Sequence, residues 1–521
     1  MKKILLSLIL SSFIIGCGSE KNSEKNMLKI TIPKDIGELN PHLMASPHYA
    51  QGWVYEGLVT LKDGEIAPVL SEKWEISEDG KEYTFKLREN IKFSDGSNFN
   101  SNIVKKNFEE VLMNKKAFSF LQSLKEIEKI EIIDDYTIKF VLKNPCNSFL
   151  KDLTFSRPLV FLGEKGFVDG QLSAKEISAP IGTGMWSLDK YEANQFAIFK
   201  RNENYWGDRP KFEYFKTYVV SDMGTSVAML RAGDIDMIYD NFDSLNVENI
   251  EQLKKEGFNV KISEPKQVTS LSLNTAGKIL GDKRVRQALN YATDNQTISK
   301  EIFKGIRKPA DCYFTNDVEY VKNTVKNSYV FNLDKANKLL EESGWKYDNS
   351  GEYRQKNGEI LEIKLSLDNS IKNGKILAEI LQQQYKKVGV KLNISQEESK
   401  LFRQNWTKGD FDIIMFNSWG GSYEPFATLA AMISDGDKFN IVQKGIENRE
   451  ELHQVMRDSL METNKDKLQS NFDYIVESFY EQAIYVPLVT TVVVAVSRED
   501  IEGVEFSSIK EIIPLQNVRR K

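Results

Sequence analysis

Leu361-Glu-Ile-Lys-Leu-Ser-Leu367, the stretch Ile371 to Val388, and Val390-Lys-Leu-Asn-Ile394 read in succession as a strand, a long helix and a second strand. The first run alternates apolar and polar residues with the period of a pleated strand, whereas the middle run repeats its apolar residues at helical spacing. Strand, helix and strand in that order predict a crossover unit, and with it an α/β architecture.

Upstream of this unit, Val285 to Ala292 and Leu333 to Ser343 are predicted as helices, the second stopped by Gly344. Nearer the N-terminus, Leu28 to Ile32 is strand-like and leads into a Pro-containing loop through Asn40-Pro41-His42, the kind of segment that presents side chains. Lys81 to Arg88 alternates with period two behind the turn Asp79-Gly80, and the pattern returns at Tyr136 to Leu142, so hairpin strands are expected there. Between them Asn100 to Leu112 reads as a helix capped by Asn100 or Ser101, and Leu121 to Ile132 continues the amphipathic pattern. Leu488 to Val496 is rich in β-branched residues and reads as one buried strand. No internal repeat is visible.

At 521 residues the chain exceeds one ordinary core, so two or three lobes are expected. Hydrophobic residues at 41%, charged residues at 28% and 29 Phe exclude extended disorder. A net charge of -5, with both signs interspersed, leaves no basic stripe for a phosphate backbone, which argues against nucleic acid as a partner.

The first residues read as a targeting segment. Lys2 and Lys3 precede a largely apolar run, Ile4 to Ile15, then Gly16-Cys17 and the polar stretch Gly18 to Asn26. The apolar run is too short to span a bilayer. Residues 1–16 are therefore expected to be a lipoprotein signal peptide and 17–26 a lipidated Cys17 with a flexible tether, the simpler alternative being a secretory signal with an incidental cysteine. Cys146 and Cys312 either bridge or stay free, and their spacing decides neither. With no closely spaced cysteine pair, a cysteine metal site is not expected.

Catalytic signatures are missing: there is no G-x-S-x-G elbow, Walker loop, H-E-x-x-H or dinucleotide fingerprint. The three histidines, His42, His48 and His453, are too scattered for a multi-histidine cage. An enzyme is not expected, nor any cofactor.

Six blocks carry a family resemblance: Leu39-Asn-Pro-His-Leu43, Val54-Tyr-Glu-Gly-Leu58, Ile91 to Phe99, Ala179-Pro-Ile-Gly-Thr-Gly-Met-Trp186, Arg201-Asn-Glu-Asn-Tyr-Trp-Gly207 and Val285 to Ala292. In this order they resemble the peptide/nickel solute-binding proteins of ATP-driven (ABC) importers, over essentially the whole mature chain. Phe155-Ser-Arg-Pro-Leu159 and Ser418-Trp-Gly-Gly-Ser-Tyr-Glu-Pro425 bring it nearest to the nickel-binding members. The resemblance implies a two-lobed, three-domain periplasmic-binding-protein fold with the ligand in the cleft between lobes. A large lobe at 27–265, a small lobe at 266–485 and a C-terminal return at 486–521 are expected. It further implies an extracytoplasmic lipoprotein, monomeric and working with ABC permease subunits, that captures a chelated nickel ion or a related divalent metal complex.

Carried onto matching positions, the resemblance gives Arg157 the part of ligand anchor, since a guanidinium grips a carboxylate with two parallel hydrogen bonds. Trp419 and Tyr423 become aromatic walls, with core packing as the alternative for a Trp that follows the apolar run Phe411 to Phe416. Phe120 replaces a cleft tryptophan, and Arg403 aligns with a cleft tyrosine, where it supplies a second carboxylate contact or only a surface charge. The nickel-coordinating histidine of one branch falls near Asp437, and a second cleft arginine falls near Ala117, so that branch's ligand is not copied directly. His48 stands where the nickel binders have a methionine facing the ligand, and a neutral imidazole suits Ni(II), so His48 is expected to complete the metal's coordination. Three rival functions remain: a binder of short oligopeptides in the same cleft, an extracellular peptidase built on this scaffold, and an adhesive surface lipoprotein.

Overall fold

A computed structural model describes residues 26–44, 47–322, 327–347, 351–369, 371 and 373–521. The crossover unit is present as strand Glu362–Asp368, helix Gly374–Lys386 and strand Lys391–Glu397. Its strands pair in parallel, Glu362 opposite Lys391 through Asp368 opposite Glu397, which a helical crossover makes possible. Leu377, Leu381 and Tyr385 of the helix share one core with Ile363, Leu365 and Leu392 of the strands.

These strands belong to a five-stranded sheet in the order Lys391–Glu397, Glu362–Asp368, Ile413–Asn417, Gln267–Leu273, Tyr485–Thr491. Both faces are covered. Ile413 and Met415 enter the core that contains helices Lys283–Ala292 and Leu333–Glu342. Ile414 and Phe416, one residue out of phase, enter the opposite core beside Phe426–Met432, Arg449–Met461 and Lys465–Glu481.

A seven-stranded sheet holds the other large unit, in the order Asn259–Ile262, Val494–Ser497, Met237–Asp240, Met27–Ile32, Tyr214–Val219, Phe196–Arg201, Trp186–Glu192. Met27–Ile32 sits inside it, paired in parallel with Tyr214–Val219. A four-stranded sheet, Ser71–Ile76, Glu82–Leu87, Thr137–Leu142 and Ile127–Asp134, packs into the same core. The assembly is mixed α/β with separate sheets.

The chain passes between the two large sheets twice, at residues 263–266 and 492–493. The apolar run expected as one strand, Leu488 to Val496, is therefore divided. Tyr485–Thr491 pairs with Gln267–Leu273, whereas Val494–Ser497 pairs with Met237–Asp240 and Asn259–Ile262. Strand propensity is continuous along the run, and nothing in it says that two sheets share it. The five-stranded sheet keeps this chain through Thr491, past the edge expected at residue 485.

A second difference lies at Leu121 to Ile132, read as helical. Only Gln122–Glu126 is helix, and Ile127–Asp134 is a strand opposite Thr137–Leu142. Isoleucines at 127, 130, 132 and 133 favour the pleated surface, and pairing overrides the helical reading. The helix at Asn100 is as expected: it runs Ser101–Met113, and the Asn100 side chain accepts from the Ile103 N–H at 3.2 Å. Cys146 and Cys312 are both free and buried in different cores. Cys17 and the signal segment lie outside the described residues. No helix among the described residues is long and apolar enough to cross a membrane.

Three of the quoted blocks converge on one buried carboxyl. Glu56 accepts from the Thr183 hydroxyl and the Trp206 indole, both at 2.9 Å, and from the Tyr205 hydroxyl at 3.4 Å. Arg88 lies over the Trp206 ring at 4.8 Å. Gly182 and Gly184 let this backbone press on Val54, because a Cβ at either position would overlap the Val54 carbonyl group. Burial pushes the Glu56 carboxyl from 4.5 up to about 7, against the pull of its donors. The folded chain therefore holds a proton that the unfolded chain releases. The associated stability is full below pH 4.5, is lost as pH rises through about 7, and amounts to about 3 kcal/mol at ~1.4 kcal/mol per unit. Glu56→Gln should flatten that part of the stability profile in denaturant melts between pH 4.5 and 7.5; an unchanged slope would exclude the assignment.

Candidate functional site

Where the two large units face each other, four short segments meet. His48 opens the helix His48–Val54, and Ser156 and Arg157 follow the helix Phe149–Asp152. Trp419 and Tyr423 lie just past the end of strand Ile413–Asn417, and Lys510 and Glu511 belong to the C-terminal segment. The turn after the strand depends on glycine. Gly420 has φ 69°, and a Cβ there would overlap the carbonyl of Lys266, in the first crossing.

The cavity between these segments has a volume of about 420 Å³ and is lined by Met44, Phe120, Gln267, Ile371, residues 416–419, Tyr423, Lys510 and Glu511. Its aromatic wall is one connected set. Phe120 stands 6.1 Å from Trp419 and 5.8 Å from Tyr423, and Trp419 stands 5.5 Å from Tyr423. Phe155 backs Tyr423 at 4.3 Å. Most of these contacts are edge-to-face, the arrangement ring quadrupoles favour, and they hold the ring faces in fixed directions.

Beside the cavity, behind Met44 and Tyr423, lies a polar knot. The His48 ring bonds Ser156 Oγ through Nδ1 at 3.0 Å, while its Nε2 meets Arg157 Nη2 at 2.9 Å and Tyr423 OH at 3.2 Å. Arg157 Nη1 donates to the Met44 carbonyl, and its buried Nε has no partner among the described residues. Burial, reinforced by the Arg157 charge, pushes the His48 pKa down to about 3. The imidazole is thus neutral, and because the Arg157 guanidinium only donates, Nε2 holds the lone pair and Nδ1 carries the proton toward Ser156 Oγ. Burial also raises the Tyr423 phenol, with Glu511 adding to the rise.

Of the residues singled out in the sequence, Phe120, Trp419 and Tyr423 line the cavity and touch one another. Arg157 and His48 are brought together next to it, but each occupies the other. Arg403 is not brought to it: it is exposed on helix Ser399–Lys408, with Nε bonded to Ser399 O of its own helix at 3.2 Å. A helical phase that turns Phe402 into the core turns its neighbour outward. Ala117 is exposed, and Asp437 caps a short helix by accepting from the Phe439 N–H at 2.9 Å.

Sequence reasoning missed three polar groups here. Lys510 and Glu511 sit in a C-terminal stretch with no periodic signal. Lys438, next to Asp437, is buried with Nζ at 3.9 Å from the centre of Phe416, 4.0 Å from Phe439, 4.7 Å from Trp406 and 5.6 Å from Trp419. Its ammonium thus supports the aromatic wall from behind by cation–π attraction, and burial lowers its pKa to about 8. No signal marked it, because the enclosing rings come from three different segments.

All three histidines are held low by burial: His42 and His453 at about 4 and His48 at about 3. None should titrate between pH 5.5 and 8 when followed by imidazole proton NMR, and because the unfolded chain does take up these protons, stability should fall as pH drops below 6.5. A His48 midpoint near 6.5 would show that the knot is open to water.

Comparison with known proteins agrees with this fold. Residues 65–440 match the family of bacterial extracellular solute-binding proteins, family 5, in its middle region. The nickel-binding periplasmic protein of Escherichia coli K12 is 30% identical over 491 residues, 94% of this chain and 93% of that protein. The dipeptide-binding protein of the same organism is 27% identical over 72% of each chain. Among solved structures, NikA from Brucella suis in complex with Fe(III)-EDTA superposes with a TM-score of 0.92 at 32% identity, covering 95% of this chain and all of that one. The chain belongs to the family 5 bacterial extracellular solute-binding proteins, the small-ligand-binding components of ABC importers.

Proposed function

We propose that the cleft captures a small chelate of nickel, or of a related divalent metal, and delivers it to an ABC permease. The observation that carries this reading is a cavity of about 420 Å³ walled by Phe120, Trp419 and Tyr423, with the Arg157–His48 pair against it. That volume suits a metal held by one or two small chelators, which flat rings cover while excluding water. Two relatives, at 30% and 32% identity over most of the chain, are respectively named for nickel binding and solved with a metal chelate.

Arg157 is the proposed anchor. Its Nη1 and Nη2 rest on the Met44 carbonyl and on His48, and its buried Nε is unspent. A carboxylate on the chelator is a stronger, charge-assisted acceptor than either resting partner. Turning toward it releases His48 Nε2, a neutral imidazole nitrogen of the kind that ligates Ni(II), so one movement presents both groups to the guest. In the resting state each keeps the other from being an orphan.

The lobes are proposed to hinge at 263–266 and 492–493, with guest binding shifting them toward closure. Acylation of Cys17, tethering through residues 18–26 and a monomeric state complete the proposal, with the protein held on the outer face of the cell membrane. A second reading, capture of short peptides, has the support of the dipeptide-binding relative.

Calorimetry with Ni(II)–L-histidine should show saturable binding and raise the melting temperature, while di- to pentapeptides do neither; the reverse pattern establishes the peptide reading. Arg157→Lys should weaken the chelate at least about tenfold, ~1.4 kcal/mol, because an ammonium cannot make the paired hydrogen bonds. His48→Ala with unchanged chelate affinity removes His48 from the coordination sphere.

A further inference from the structure

We propose that Glu511 is a specificity-determining carboxylate of the cleft that accepts a positively charged N–H, and hence that the preferred guest is an amino-carboxylate rather than a purely anionic chelate. This rests on the cavity being the solute site, not on the guest containing a metal.

Glu511 is rigidly presented. On one side Ile509 is buried and Ser508 Oγ accepts from the Asp63 N–H at 2.9 Å. On the other, Ile513 is buried and its carbonyl accepts from the Trp53 indole at 3.1 Å. The Lys510 carbonyl is held by Asn241 at 3.3 Å. The segment is pinned at both ends, and Glu511 between them lines the cavity.

Several polar groups around it already have other partners. Lys510 Nζ donates to Gln267 Oε1 at 2.5 Å, and Gln267 Nε2 donates to the Trp419 carbonyl at 3.0 Å. Asn417 Oδ1 accepts from the Thr269 hydroxyl at 2.8 Å, and Ser418 Oγ accepts from the Val268 N–H at 3.1 Å. Among the described residues no other side chain donates a hydrogen bond to the Glu511 carboxylate. Burial raises its pKa, opposed by Lys510, by its own backbone N–H and by Arg157. A part-buried carboxylate that accepts from its own backbone N–H keeps further lone pairs for a donor that a guest supplies.

The chemistry of the donor follows from the surroundings. Phe120, Trp419 and Tyr423 present ring faces and edges to the same space, and ring faces attract cations. Arg157 lies close enough to Glu511 for their charges to interact, on the Tyr423 side. One anion-seeking and one cation-seeking group flank one small cavity. A guest carrying both a carboxylate and a positive amine satisfies the two together, whereas a polycarboxylate satisfies Arg157 and is repelled by Glu511. A protonated amine and a metal-bound amine are both positive N–H donors, so either form of amine meets the requirement.

Calorimetry of wild type and Glu511→Gln with two matched pairs of probes tests this: Ni(II)–L-histidine against Ni(II)–citrate, and alanyl-leucine against its N-acetyl form. In whichever pair binds, wild type should prefer the amine-bearing member at least about tenfold. Glu511→Gln should weaken that member about tenfold and leave the amine-free member unchanged or tighter. Equal weakening of both members, no effect on either, or wild-type binding that does not distinguish them overturns the proposal. The pair that binds separately decides between metal chelate and peptide, and an unchanged apo melting temperature for Glu511→Gln excludes a folding defect.

Discussion

The site depends on the place where the chain crosses between its two large sheets. The crossings lie side by side and are tied by backbone hydrogen bonds, Lys266 N–H to Thr491 O and Ser263 N–H to Val493 O, both 2.9 Å, with Ser263 Oγ accepting from the Val493 N–H. Two short extended segments joined in this way bend together but do not slide. The cavity sits against them: Gln267 is the first residue of the strand beyond the first crossing, and Gly420 presses on Lys266. Farther away the two units touch through the buried Arg307–Asp243 pair, and through Asn147, which donates to Ser459 O at 2.9 Å. In the proposed hinge motion, rotation about the crossings would change these contacts and the width of the cavity together, coupling guest binding to closure.

Electrostatics supports the proposed fit of the cleft to a small charged guest. Burial holds His48 neutral, while Arg157 keeps its charge because a guanidinium is not deprotonated in proteins. Arg157 therefore rests on two neutral acceptors, and Glu511 faces the cavity without a side-chain donor among the described residues. Glu511 is already held at the cavity, so little of the guest's binding energy goes into ordering it, whereas in the proposed anchoring Arg157 trades its two neutral acceptors for a charged one. Lys438, enclosed by rings behind Trp419, stiffens the aromatic wall without contributing to the cavity lining.

The crossover unit and the hairpin around Asp79-Gly80 were readable from period alone, because the buried residues of each element recur at the spacing of a strand or a helix. Leu488 to Val496 misled because both of its halves are buried strand, and only tertiary pairing assigns them to different sheets. Trp419 and Tyr423 were legible through the block Ser418 to Pro425, whose local turn places them, and Phe120 through its aligned position alone. Arg403 failed because helical phase, not alignment, decides which way a side chain points. Lys510 and Glu511 were invisible for another reason: an adjacent Lys-Glu pair in a loop has the composition of solvated surface, and only the C-terminal return over the cleft buries it.

The central claim is that the cleft holds a small metal chelate. Native mass spectrometry with elemental analysis of the protein purified under mild conditions addresses it directly. One divalent metal per chain, released on unfolding with the mass of a small carboxylate-bearing chelator, is the expected result. A peptide mass with no metal would contradict it.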